Sequence, residues 1–197
     1  MSNPPTPEAS ELFPIRADEK GPKTIAILLI FGATLMLATG FGDVKNSFAE
    51  DFPEEDLDGI LENYQRQEVN ITAEDYQLYH DEIREDGAYS VRGFSLMSGG
   101  VLVLIGGFAL FKLKSIGVKL SIAGSAIGLI GGFSGSWMMA STSSEYLPDE
   151  VTMINEYLSY ACVAFMGICL AMAILPLINA SARLALDQRV TLVTEEE

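Results

Sequence analysis

The chain has 197 residues, of which 49% are hydrophobic, and its formal net charge is −15. This acidity argues against nucleic-acid binding, because the phosphate backbone repels a negatively charged protein. The two cysteines, Cys162 and Cys169, lie seven residues apart, which is about 10.5 Å along a helix and too far for a disulfide between them.

Four segments of the chain contain no Asp, Glu, Lys, Arg or His; they are 24–42, 93–111, 120–140 and 157–178. An α-helix of such a length measures roughly 28–33 Å, which matches the hydrocarbon core of a bilayer at about 30 Å. Four charge-free runs cannot all be buried inside so short a soluble protein. The sequence therefore predicts an all-α integral membrane protein with four transmembrane helices.

The segments between these runs complete the predicted organisation. They are a disordered tail (1–23), an acidic helical subdomain (43–92), a basic turn (112–119), a loop (141–156) and a second tail (179–197). A signal peptide cleaved near residues 47–49 is the alternative for the first run. That run is longer than a usual signal core, which favours an uncleaved first helix.

The distribution of charge predicts the orientation in the membrane. The subdomain 43–92 holds fifteen acidic and four basic residues, and the loop 141–156 holds four acidic residues and no basic one. The two tails and the turn 112–119 carry eight of the twelve Lys and Arg. By the positive-inside rule, both termini and the basic turn are cytoplasmic and the acidic segments are external. We expect a multi-pass protein of the cell or plasma membrane.

The acidic subdomain is expected to form two short amphipathic helices, at about 54–67 and 73–86. Thr72 and Asp75 fit a capping box that would start the second helix. Asn70 begins an Asn-Ile-Thr sequon and is a possible glycosylation site if it is external.

Glycine is concentrated in the second and third apolar runs, where small residues let transmembrane helices approach closely. Gly124, Gly128, Gly132 and Ser136 recur every four residues, as in a glycine zipper, and the preceding run has a heptad series of Gly93, Gly100 and Gly107. Two interpretations follow. The two series face each other inside the bundle, or they form a seam between copies of the chain.

No pattern in the sequence indicates catalysis or a cofactor. The single histidine, His80, lies beside Asp81 and Glu82 without the spacing of a metal site, and a solvated acidic face is the simpler interpretation. The apolar runs hold no ionisable group for intramembrane chemistry. We expect a non-enzymatic structural or interaction component of a membrane assembly, with lipid, other membrane proteins or further copies as partners. The alternative is an oligomeric cation channel or transport accessory subunit with an acidic external vestibule.

Overall fold

The computed structural model describes residues 16–186, apart from the side chains at positions 54 and 55. The described residues form six helices of thirteen residues or more and a short helical stretch at 180–186. The six are α1 (Lys20–Phe48), α2 (Glu54–Arg66), α3 (Ala73–Glu85), α4 (Ala88–Phe111), α5 (Ser115–Tyr146) and α6 (Asp149–Ile178).

The four long helices, α1, α4, α5 and α6, form an up-and-down bundle, and each is long and apolar enough to cross a membrane. Their outward surfaces carry large apolar side chains, including Phe31 on α1, Phe108 on α4, Ile130 on α5 and Ile168 on α6. A soluble protein of this size rarely exposes so much apolar surface.

The packing order within the bundle is α1, α4, α5, α6, so α4 lies between α1 and α5. Leu96 and Val103 of α4 are completely buried beside Leu29 and Met36 of α1. The first and last helices meet only sparsely. One closer approach is at Gly32, where an added Cβ would lie 3.0 Å from Sγ of Cys169. The bundle is therefore closed by extensive packing on three sides and loosely closed on the fourth.

Helices α2 and α3 cover one end of the bundle, which we call the capped end. Tyr79 and Ile83 of α3 pack with Tyr89 of α4, Met139 of α5 and Val151 of α6 in a second apolar cluster. The capping box predicted at the start of α3 is confirmed, because the Thr72 side chain accepts from the Asp75 backbone and Asp75 bonds back to residue 72. Helix α3 thus buries its stripe against the ends of the long helices, and Leu61 and Tyr64 of α2 pack against the same cluster.

The opposite end, which we call the basic end, holds a tight turn between α4 and α5. Leu113 adopts a left-handed backbone with φ of 57°, and the Lys114 N–H donates to the Ala109 carbonyl, as in a Schellman motif. The Leu113 side chain is buried, which offsets the strain of this conformation in a residue other than glycine. Both ends of the described chain meet here, since the Asp18 N–H donates to the Ser181 carbonyl.

The interpretation that the two glycine series face each other is wrong. The heptad series of α4 packs on α1; its members and their nearest α1 side chains are Gly93 with Val44, Gly100 with Leu37 and Gly107 with Ile30. The α4–α5 contact uses Gly99 and Gly106 instead, against Gly124 and Gly117. The α5 series nevertheless keeps contact with α4 beyond Gly124, because a Cβ on Gly99 would lie 3.0 Å from the Gly128 nitrogen and a Cβ on Gly132 would lie 3.4 Å from Cδ2 of Leu96.

All four members of the α5 series are buried within one copy of the chain. Gly124 lies on α4, whereas Gly128 lies beside Met36 of α1. This face is therefore already covered and is not free to form a seam between copies.

Candidate binding cavity at the capped end

A largely buried ion pair joins α1 and α4 at the capped end, with the Arg92 side chain 23% exposed and that of Asp43 6% exposed. The guanidinium of Arg92 donates from Nε to Oδ2 of Asp43 at 2.7 Å and from Nη2 to Oδ1 at 2.6 Å. Asp43 is only 5% exposed, which is unusual for a carboxylate unless it is paired. Two parallel charge-assisted bonds of this kind fix both side chains and hence the register of the two helices.

This pair was missed by the sequence prediction, which placed no ionisable group within the transmembrane helices. Asp43 directly follows the first apolar run and Arg92 directly precedes the second. Both helices continue past the apolar runs, α1 to Phe48 and α4 back to Ala88, so each charge lies on a helix inside the bundle. The sequence shows that both charges flank apolar runs. It does not show that they pair, because 49 residues separate them.

A cavity of about 430 Å³ lies above this pair and beneath α3. Its walls combine the two charged side chains with aromatic and uncharged polar groups, namely Tyr64, Tyr76, Tyr79, Tyr89, Thr39, Asn46, Asn155, Ser136 and Ser159. The volume lies in the range of small-molecule sites, which is about 300–1,000 Å³. The convergence of polar groups in an otherwise apolar structure makes this cavity the candidate functional site.

The tyrosines of α2 and α3, Tyr64, Tyr76 and Tyr79, line this cavity as neutral phenols. Burial raises the pKa of Tyr76 to about 12, with a smaller contribution from the neighbouring Tyr64, and burial also raises the pKa of Tyr79. Tyr76 and Tyr79 stack edge to face with ring centroids 5.9 Å apart. The hydroxyl of Tyr79 donates to the Met139 carbonyl at 3.4 Å, which ties α3 to α5.

His80 is buried, with none of its surface exposed, so the interpretation as part of a solvated acidic face is wrong. Its Nδ1 lies 3.2 Å from the Tyr89 hydroxyl and its Nε2 lies 3.4 Å from the Ala49 carbonyl. Because a carbonyl can only accept, we assign the proton to Nε2 and let the Tyr89 hydroxyl donate to Nδ1. Burial lowers the pKa of His80 and keeps the ring neutral. The stripe that predicted α3 includes Tyr76, Tyr79 and Ile83, and His80 lies next to this stripe on the helix.

Hydroxyl groups within the bundle divide into two kinds. Thr34, Ser98 and Ser134 donate to carbonyls one turn back on their own helices, at 2.8 to 3.0 Å, as expected for such residues in apolar helices. Three buried serines of α5, Ser121, Ser125 and Ser136, find no hydrogen-bond partner among the described residues. Of these, Ser136 also lines the cavity and is 1% exposed.

The other predicted positions lie away from the cavity. Asn70 is exposed between α2 and α3, as its sequon requires. Residues 16–186 contain no group of three His, Cys, Asp or Glu side chains that could hold a metal ion. The predicted N-terminal tail and the end of the C-terminal tail lie mostly outside the described residues.

Below the cavity, an apolar groove of about 250 Å³ runs between α1 and α6. Its walls are Leu35, Met36, Leu96, Phe165 and Met166, and it shares Thr39 and Cys162 with the cavity above. The groove follows the loosely packed side of the bundle. The polar cavity and the apolar groove therefore adjoin each other at Thr39 and Cys162.

Comparison of the chain with protein-family models, with curated proteins and with solved structures finds no match.

Proposed function

We propose that this chain is a non-enzymatic integral protein of the cell membrane that acts by association, as an interaction component of a membrane assembly. Its acidic layer, defined as α2, α3 and the segments joining them to α1 and α4, is the surface that meets the partner. The observation that carries the proposal is the charge of this surface.

Membrane insertion is supported by the length of the four long helices and by their apolar outward surfaces. The described basic residues of the basic end support an orientation with that end in the cytoplasm; they are Arg16, Lys20, Lys23, Lys112, Lys114, Lys119 and Arg183. The acidic layer then lies outside, and Asn70 is accessible for glycosylation there.

Among the residues of segments 43–92 and 141–156 whose side chains the structure describes, fourteen acidic residues are exposed, and the exposed basic ones are Lys45 and Arg66. Arg66 is itself paired with Glu62 at 2.6 Å. The contacts of Tyr79 and Ile83 with the bundle hold this surface in place instead of leaving it on a tether. A fixed acidic surface favours partners of basic character and accelerates their encounter.

A non-enzymatic role is supported by how the reactive side chains are used. His80 engages the Tyr89 hydroxyl and the Ala49 carbonyl, and Arg92 engages Asp43. These side chains are thus held in contacts within the protein, and the cavity has the character of a binding site.

Photo-crosslinking in native membranes tests the association. A photoreactive residue at Asn63 is expected to capture a defined membrane or envelope protein, whereas the same residue at Ser115, on the basic end, is not. The triple variant Asp56→Asn, Asp58→Asn, Glu62→Gln should lose this product at low salt, because the attraction depends on exposed charge. Capture that persists unchanged in the triple variant would contradict a charge-based partner.

A cation channel is the second candidate, because the same acidic surface would concentrate cations at the capped end. Completely buried apolar side chains such as Leu29, Leu96 and Val103 fill the middle of one copy, so a pore would have to lie between copies. Cation flux into reconstituted vesicles that falls in the triple variant at low salt only would favour the channel over the interaction protein.

A further inference from the structure

We propose that the cavity at the capped end and the groove between α1 and α6 together bind one lipid with a zwitterionic headgroup. The headgroup lies in the cavity, and one hydrocarbon chain lies in the groove. This inference goes beyond association with a partner protein and shares with it only the membrane placement.

The shape of the combined site matches an amphiphile. The cavity of about 430 Å³ is lined by charged and polar groups, and the adjoining groove of about 250 Å³ is lined almost entirely by apolar ones. Thr39 and Cys162 belong to the walls of both, so they lie where the polar and apolar parts adjoin, a place that we call the neck. A small polar solute would use the cavity alone and would leave the groove without a role.

The depth of the site also matches a lipid. Asp43 and Arg92 each directly flank a charge-free run, so they lie where the hydrocarbon core gives way to the headgroup region. The groove begins below them and extends toward the middle of the bundle, along Leu35, Phe165 and Met166. Leu35 is 42% exposed and Leu158, on the cavity wall, is 63% exposed, so the site opens sideways toward lipid.

The charges of the cavity select a headgroup that is neutral overall but carries both signs. Asp43 and Arg92 are the charged groups on its walls, and their charges cancel. Arg92 uses Nε and Nη2 for Asp43, and among the described residues its Nη1 has no acceptor, which leaves this nitrogen to donate to a phosphate. Ser136, buried and without a partner, adds a hydroxyl donor on the same wall.

The aromatic walls suit the positive part of such a headgroup. Tyr64, Tyr76, Tyr79 and Tyr89 border one cavity, and aromatic rings bind ammonium groups through their electron-rich faces. The surrounding acidic surface repels an anionic headgroup, so the site discriminates against acidic lipids.

Binding of radiolabelled lysophosphatidylcholine to the full chain purified in detergent tests the proposal. We expect saturation at one lipid per chain. Lysophosphatidylglycerol and monoacylglycerol should each compete about tenfold less well, since they lack the ammonium or the whole charged headgroup. Phosphocholine, which lacks the hydrocarbon chain, should compete about a hundredfold less well.

Two variants locate the site. Thr39→Phe narrows the neck and should weaken binding by about tenfold, whereas Thr34→Phe, an exposed position of α1 that lines neither cavity nor groove, should leave binding unchanged. The double variant Asp43→Asn, Arg92→Gln keeps the shape of the cavity and should abolish the preference for the zwitterionic lipid. If this variant does not fold, the comparison of Thr39→Phe with Thr34→Phe still tests the location of the site.

Equal competition by all three lipids would overturn the proposal, because it would indicate a nonspecific lipid shell. Phosphocholine binding as tight as that of the lysolipid would also overturn it, in favour of a site for a small solute. The triple variant of the acidic layer should retain lipid binding, so loss of partner capture and loss of lipid binding are separate outcomes.

Discussion

At the scale of single residues, the capped end depends on polar groups that are buried only because they are paired. Removing one member of a buried ion pair typically costs about 3–5 kcal/mol, since the other charge is left without compensation. Asp43 and Arg92 are in this situation, and His80 is a milder case with an uncharged ring. A buried neutral histidine makes stability depend on pH in the physiological range.

We expect the stability of the folded protein in detergent to fall as the pH is lowered from 7 to 5, and to fall more steeply in wild type than in His80→Gln. Burial lowers the pKa of His80 in the folded state, so below about 6.5 the unfolded chain binds a proton that the folded chain resists. The stabilisation is thus fully present above that pH. The difference in slope is at most about 1.4 kcal/mol per pH unit.

The surroundings of His80 explain why the comparison with Gln is needed. Asp81 and Asp51 raise its pKa and Arg84 lowers it, and these three side chains are present in both proteins. Gln can both donate to the Ala49 carbonyl and accept from the Tyr89 hydroxyl, so it preserves the contacts without the charge. Thermal unfolding at half-unit pH steps measures both slopes; parallel curves would mean that His80 does not titrate on unfolding.

At the scale of helices, close backbone approach holds α4 against α5. A Cβ on Gly124 would lie 2.5 Å from the Gly99 carbonyl oxygen, which belongs to the backbone and cannot move alone. A Cβ on Gly128 would meet the terminal methyl of Met36, which has three rotatable bonds and can turn aside. Glycines of the same sequence series therefore differ in how well the structure tolerates their replacement by alanine.

Gly124→Ala is therefore expected to destabilise the protein in detergent by about 1–3 kcal/mol, because the two helix backbones must separate. Gly128→Ala should cost less than about 1 kcal/mol. Gly167 of α6 has no neighbour within 4 Å of an added Cβ, so Gly167→Ala serves as the control and should be neutral. Chemical denaturation of the three variants measures these differences, and equal losses at positions 124 and 128 would contradict the backbone argument.

The four long helices were predictable because each depends on a local property, a charge-free run of sufficient length. The start of α3 was predictable for the same reason, since the capping box at Thr72 lies within four residues. The helices nevertheless extend beyond the runs, α5 to Tyr146 and α6 from Asp149, because their outer turns pack on the acidic layer.

The glycine contacts and the candidate cavity were not predictable from one sequence. Which face of α4 meets α1 depends on the arrangement of all four helices, and a periodicity of seven is compatible with either neighbour. The cavity joins Asp43, Tyr76, Arg92 and Asn155 from α1, α3, α4 and α6. Only the folded chain brings these groups together, although the positions of the two charges beside apolar runs were a signal.

At the scale of the whole molecule, charge separates the two ends of the bundle. The capped end presents fourteen exposed acidic residues among its described side chains, and the basic end presents the lysines and arginines beside the tight turn at Leu113. The close contact of Asp18 with Ser181 places both ends of the described chain on the basic side. If the proposed membrane placement holds, a single orientation decides which side of the membrane each charged end faces.

The accessibility of single cysteines on intact cells measures the orientation of the chain in the membrane. In a background with Cys162→Ala and Cys169→Ala, single cysteines at Asn63 and Glu145 are expected to react with an impermeant thiol reagent, because both positions are exposed at the capped end. A cysteine at Ser115, exposed beside the basic turn, should react only after the membrane is permeabilised. The positive-inside rule predicts this pattern, and the reverse pattern would put the acidic layer and the lipid headgroup site on the cytoplasmic face. Reaction of all three cysteines on intact cells would instead mean that the chain inserts in both orientations.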